Sequence, residues 1–181
     1  AAASEFSAEF RRDIETFLTP EALAAVTIPG RRELPFTRGM LYTAFGVGCE
    51  HAGTLALPTD LKDPLDAEAA LARAPRVRSY ADDKLLYLTP RKLKDRALPS
   101  GTAPTHGIAL YGQDRAIVST HGVKDLEAGL PVISRHALHV VGHLWDLYHC
   151  LDPRCAMFPP WTPSFDKGEP TFCTFCREKS E

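Results

Sequence analysis

The apolar positions of this chain change spacing along its length. In SAEFRRDIETFL, Phe6, Phe10, Ile14, Phe17 and Leu18 recur every three to four residues, as on one helix face, and Pro20 closes the segment. RGMLYTAFGVG and AGTLAL are short apolar runs suited to strands. DAEAALARA reads as a short helix whose acidic start complements the positive end of the helix dipole. KLLYL, GIALYG and RAIVST are three further strands, and GQDR between the last two reads as a hairpin turn that makes them antiparallel neighbours. SRHALHVVGHLWDLYH follows as a long helix. Ser134 is placed to cap it, and Leu138, Val141, Leu144 and Trp145 form the stripe that packs on the sheet. Beyond His149 the periodicity stops, and proline, aromatic residues and cysteine take over. Strands with helices, then one long helix, then a cysteine-held tail is an α+β order.

Composition changes this picture little. With 44% hydrophobic and 24% charged residues over 181 positions, the chain suits one compact globular domain. A net charge of −2 and a pI near 6.4 give no basic face, which argues against nucleic acid as a partner. No apolar run reaches the roughly 18 residues of a membrane span, and no signal peptide is visible. A cytoplasmic location is the expectation.

The candidate chemistry lies in HVVGHLWDLYHCLDPRCAM, residues 139–157. His139 and His143, four residues apart, lie about 40° apart around a helix axis and can reach one ion. The pair alone is weak, since two polar positions of a surface helix would look the same. His149 would sit roughly 80° off that face and about 15 Å along the axis if the helix ran on. It joins the pair only if the chain turns back near Asp146, a residue that tolerates the left-handed region. If the helix continues, Asp146 itself falls on the histidine face as the third ligand. Cys150, Cys155, Cys173 and Cys176 crowd the last quarter, apart from Cys49. The closing Cys-x-x-Cys favours one tetrahedral metal ion over two disulfides.

The string H-x3-H-x5-H-C-x4-C-x-M…C-x-x-C resembles the archaemetzincins, a family of metzincin-clan zinc metallopeptidases. The resemblance runs over roughly residues 80 to 176, with DDKLLYLTPRKL and GIALYGQDRAIVST as its strands. It implies a metzincin-like mixed, twisted sheet with an active-site helix. It divides the chain into residues 1–149 and a small cysteine-stapled subdomain, residues 150–181. It implies two zinc ions: one of catalytic type on His139, His143 and His149, and a structural one on Cys150, Cys155, Cys173 and Cys176. Met157 would lie in a tight turn beneath the first site. Gly107, Ile108, Ala109, Leu110 and Tyr111 would form an edge strand that pairs with an extended peptide.

Two positions depart from the pattern. The family carries glutamate after the first histidine, where it takes a proton from the attacking water; here Val140 stands, with nothing to titrate. The turn glycine is Asp146. The expected function is a zinc-binding pseudo-peptidase with absent or strongly reduced proteolysis. The alternatives are an active peptidase using an unusual base, and a zinc-stapled interaction module. Glu50, His51, His106, His121 and Glu127 have no predictable place. His136 reads as a partly exposed polar position, Tyr148 as an aromatic buried in the turn, Trp145 and Trp161 as packing between helix and tail, and Cys49 as a small hydrophobe.

Overall fold

The computed structural model describes residues 22–28, 50–56, 61–76, 84–94, 106–110, 112–124, 126–162 and 164–180. The predicted helix before Pro20, the predicted strand RGMLYTAFGVG, Cys49 and Tyr111 lie outside them. Strands β1 (Ala22–Ile28), β2 (Glu50–Ala56), β4 (Lys84–Thr89), β6 (Gly107–Ala109) and β7 (Arg115–Ser119) form one mixed sheet in the order β2-β1-β4-β7-β6. β4 and β7 run parallel, and the other pairs are antiparallel. Two-residue strands β3 (Leu65–Asp66) and β5 (Leu93–Lys94) pair separately. Strand β1 was not foreseen. Its ALAAVTI is rich in alanine, which has little intrinsic strand preference, and its place between β2 and β4 makes it a strand.

β4 and β7 read as unbroken apolar runs because both faces of the sheet are covered. Leu85, Tyr87 and Ile117 face helix α1 (Ala67–Arg73), with Leu65, Leu71 and Leu93. Leu86, Leu88, Ala116 and Val118 face helix α2 (Leu126–Leu144). α1 begins at Asp66, whose Oδ1 accepts from Ala69 N at 2.9 Å. It ends under Arg115, whose Nη1 donates to Leu71 O at 2.5 Å and Ala74 O at 3.3 Å. There a cation meets the negative end of the dipole.

The apolar stripe of α2 is as expected: Leu138, Val141 and Leu144 are buried against the sheet and Trp145 packs partly on it. Ser134, however, is no cap. The helix starts at Leu126 and runs through Pro131, whose ring lies on the exposed side, so Ser134 is buried in its middle. The hairpin from β6 to β7 turns through Gly112 at φ 70°, with Gln113 N donating to Leu110 O at 3.1 Å. Among the described residues β6 is the last strand of the sheet, and it lies against α2. A Cβ on Gly107 would stand 3.0 Å from Val140 Cγ1 and 3.1 Å from Val118 Cγ2.

Candidate metal centres

His139 and His143 sit one turn apart on α2, both nearly buried. Their rings meet edge-on, with centroids 4.6 Å apart and Nε2 atoms 3.1 Å apart. His139 Nδ1 donates to Ala156 O at 2.8 Å, and His143 Nδ1 donates to Leu147 O at 2.9 Å. A carbonyl can only accept, so each Nδ1 carries the proton and each Nε2 presents a lone pair. Two lone pairs at that distance repel unless a cation lies between them. A proton suits the role poorly, because burial, with help from His143, pushes the His139 pKa down to about 3. A tetrahedral zinc with bonds of about 2.0 Å would hold its nitrogens roughly 3.3 Å apart. The pair fits that ion.

The third histidine arrives because the helix stops. Asp146 adopts φ 59°, Asp146 N donates to His143 O at 3.1 Å, and Leu147 N donates back to Gly142 O at 2.9 Å. This is a Schellman ending with aspartate where glycine is usual. Leu147 turns inward and is buried, and the chain returns so that His149 lies 5.2 Å from the His139 ring and 5.0 Å from the His143 ring. One nitrogen from each of His139, His143 and His149 falls within 4.8 Å of the others. Asp146 is exposed in the turn and is not a member of this group. His149 is the exposed member, with Trp161 edge-on at 4.9 Å. Met157 is fully buried beneath the same turn of helix. A Cβ on Gly142 would collide with its Sδ, so the glycine admits the methionine.

The four tail cysteines have their sulfurs within 4.8 Å of one another and form no disulfide. Cys150 Sγ and Cys173 Sγ are 3.8 Å apart, the edge of a tetrahedron with metal–sulfur bonds of about 2.3 Å. Backbone amides already point at the sulfurs: Asp152 N at Cys150, and Met157 N and Cys173 N at Cys155, at 3.3 to 3.5 Å. Burial first, then the neighbouring sulfurs, pushes the Cys176 thiol far up. A bound cation would reverse that, since it favours thiolate. These residues, too, fit the ion.

Residues 106–181 match the profile of peptidase family M54. Among solved structures, an archaemetzincin from Methanopyrus kandleri aligns with TM-score 0.57 and 26% identity, over 69% of this chain and 71% of that one. A zinc-dependent peptidase from Methanocorpusculum labreanum aligns with TM-score 0.56 and 25% identity, over 70% and 81%. The chain is archaemetzincin-like. An archaemetzincin from Archaeoglobus fulgidus, 20% identical with TM-score 0.54 over 69% and 77%, shares the fold. A comparison with curated proteins gives no match. Homology to this family of zinc metallopeptidases therefore rests on the part of the chain that holds both side-chain clusters. No helix among the described residues is long and apolar enough to cross a membrane.

Several residues of this archaemetzincin-like chain take places other than those expected. Tyr148 is 74% exposed, because Leu147 is the residue the turn packs inward. Trp161 is 72% exposed and leans on His149, while Trp145 does pack toward the tail, against Phe172. His136 is buried. It lies one turn before His139 on the same face, roofed by Phe165 of the 3₁₀ turn Phe165–Lys167, with His106 at 4.7 Å and Asp166 Oδ1 3.1 Å from Nε2. Burial first, then His106, lowers its pKa to about 4. His121 lies in the exposed turn after β7, and Glu50 and His51 open β2. Sequence reasoning missed Arg135 altogether. Its position four residues before His139 was the available signal, since it places an arginine on the ligand-bearing face.

Proposed function

We propose that this chain is a two-zinc, archaemetzincin-like pseudo-peptidase of the cytoplasm, with peptide hydrolysis absent or strongly reduced. His139, His143 and His149 hold a catalytic-type zinc, and Cys150, Cys155, Cys173 and Cys176 hold a structural one. Bound to three neutral imidazoles, zinc would supply Lewis-acid polarisation of a carbonyl. The protein side supplies orientation. Ala156 O and Leu147 O fix two of the rings, and β6 (Gly107–Ala109), the last strand of the sheet among the described residues, would offer its backbone to an extended peptide.

The observation that carries the reading is Val140. It is 2% exposed, wedged between α2 and the edge strand against Gly107 and Val118, where it adds to the core and can move no proton. General acid–base assistance is typically worth about 10²–10⁴-fold, so its absence leaves a slow site at best. A specific observation favours a second reading, an active peptidase with an unusual base: the His136–Asp166 pair stands one helical turn from His139.

The test is zinc content together with peptide hydrolysis. Protein purified without chelator should carry about two zinc ions per chain and cleave peptides no faster than His143→Ala. Val140→Glu combined with Asp146→Gly should raise hydrolysis by about 10²-fold. Chelator-sensitive cleavage by the parent that disappears in His143→Ala would establish the second reading instead. A double variant as inert as the parent would remove the explanation based on Val140.

A further inference from the structure

Arg135 has the largest fully buried side chain among the described residues. Among the described residues its guanidinium meets no carboxylate directly. Nη2 donates to Pro153 O and Cys155 O, each at 2.8 Å, and Nη1 donates to Arg154 O at 3.0 Å and to Glu169 O at 2.5 Å. Phe165 lies under the guanidinium carbon at 4.7 Å, and Gly168 leaves room for it, since a Cβ there would occupy the place of the guanidinium. Only arginine among the side chains has enough donors in a fixed plane to reach four carbonyls at once.

Three of those carbonyls belong to a ribbon that both side-chain clusters share. Arg135 takes the carbonyls of residues 153, 154 and 155, His139 Nδ1 takes that of Ala156, and Cys150 N takes that of Met157 at 2.8 Å. Five consecutive carbonyls are thus spoken for, and two of their donors, Arg135 and His139, stand one turn apart on α2. The ribbon also carries the Cys155 sulfur and the Met157 side chain beneath the histidines. Whatever sets its height above α2 sets where Ala156 O stands, and Ala156 O sets the rotation of the His139 ring. Partners of this kind, one bond removed from a metal, commonly change affinity by about 10–100-fold.

We propose that Arg135 is a positioning residue for the histidine centre, acting by clamping the 153–155 carbonyls so that Ala156 holds the His139 ring toward the ion. The proposal rests on the reading of His139, His143 and His149 as a metal site. It adds that the cysteine site alone does not preset this ring. Cys155 fixes the ribbon at its sulfur, while the clamp fixes its carbonyl side.

The experiment is a cobalt(II) titration of the full chain, in which thiolate-to-metal charge transfer reports the cysteine site and ligand-field bands report the histidine site. In Arg135→Met the histidine-site affinity should fall by about 10–100-fold while the cysteine site keeps its affinity and spectrum. Arg135→Lys, a point charge that cannot span four carbonyls, should lose less. Gly168→Ala, which displaces the guanidinium without removing it, should shift the histidine site in the same direction. Should Arg135→Met fail to fold, the other two variants decide by the same criterion. Unchanged histidine-site affinity in the folded variants overturns the proposal. So does an equal loss at both sites, which is what a merely structural arginine would give. A parent that takes up cobalt through its thiolates alone would sink the histidine-site reading, and this proposal with it, before any variant is made.

Discussion

Strands β4 and β7 bury Leu85, Leu86, Tyr87, Ile117 and Val118 completely, whereas the tail leaves Leu151 92% and Trp161 72% exposed. The sheet is a two-faced hydrophobic core in which burial of side chains does the holding. In the tail, Cys155, Ala156, Met157, Phe165 and Cys176 are buried, and apart from the 3₁₀ turn Phe165–Lys167 and a short helix over Thr174–Ser180 the backbone is irregular. Its order comes from directional bonds: the Arg135 clamp, Ala156 N to Thr171 O at 2.7 Å, and amides aimed at sulfur. A segment with so small a core needs a staple. The two regions should therefore fail to different insults, although α2 belongs to both.

The largest separation should come from the cysteines. Cys155→Ser, or exhaustive chelation, should release the tail and the histidine cluster with it while the sheet persists. Structural zinc contributes on the order of 10–16 kcal/mol in zinc-finger peptides, far more than any single contact. Circular dichroism should keep its strand signal while amide exchange rises across residues 150–180. Simultaneous loss of both regions would show that they fold as one unit. The converse lesion is Leu86→Ala in the fully buried centre of β4, expected to cost about 2–5 kcal/mol. Denaturant titration should show the sheet losing stability with the sulfur site still formed at low denaturant.

Acid should act on the shared helix. His136 and His139 are neutral in the fold, with pKa values near 4 and 3 against 6.5 when unfolded. Below pH 6.5 the unfolded chain binds protons that the folded chain refuses, so stability is complete above 6.5 and falls as pH drops toward 4. The slope is about 1.4 kcal/mol per pH unit for each histidine held neutral. Metal-free protein should show it in urea titrations, and His136→Phe should reduce it. A stability that is flat from pH 7 to 5 would contradict the buried, neutral state of both rings.

Smaller effects sharpen the boundary between the regions. Gly142→Ala gains helix propensity but sets a methyl group against the buried Met157 sulfur, for a net loss of about 1–2 kcal/mol. Thermal melts would register this, along with weaker metal uptake at the histidines. Asp146→Gly should do the reverse, stabilising by about 1 kcal/mol, since aspartate holds a left-handed conformation there that glycine adopts freely. A destabilised Asp146→Gly would mean that the aspartate side chain has a partner worth more than the strain.

Much was legible in the sequence. The strands KLLYL and RAIVST, the stripe of α2, the tight turn after GIALYG and the positive φ of Asp146 all follow from local rules: periodicity, turn chemistry and the few residues that tolerate left-handed backbone. The ligand spacing was equally local, because an i, i+4 pair and a Cys-x-x-Cys carry their geometry within one turn of chain. Strand β1 was not legible, since an alanine-rich segment becomes a strand only when β2 and β4 flank it. Nor were the burial of His136 under Phe165, the exposure of Trp161 beside His149, or Arg135 reading the carbonyls of residues 153 to 155. Each depends on where an irregular tail lies, and irregular backbone has no period to read. By itself the sequence determined which side chains are present and at what spacing along the chain. Tertiary structure decided which backbone carbonyls face them, because apart from Leu147 O on His143 those partners come from residues 17 to 34 places away, brought close only by the folded tail.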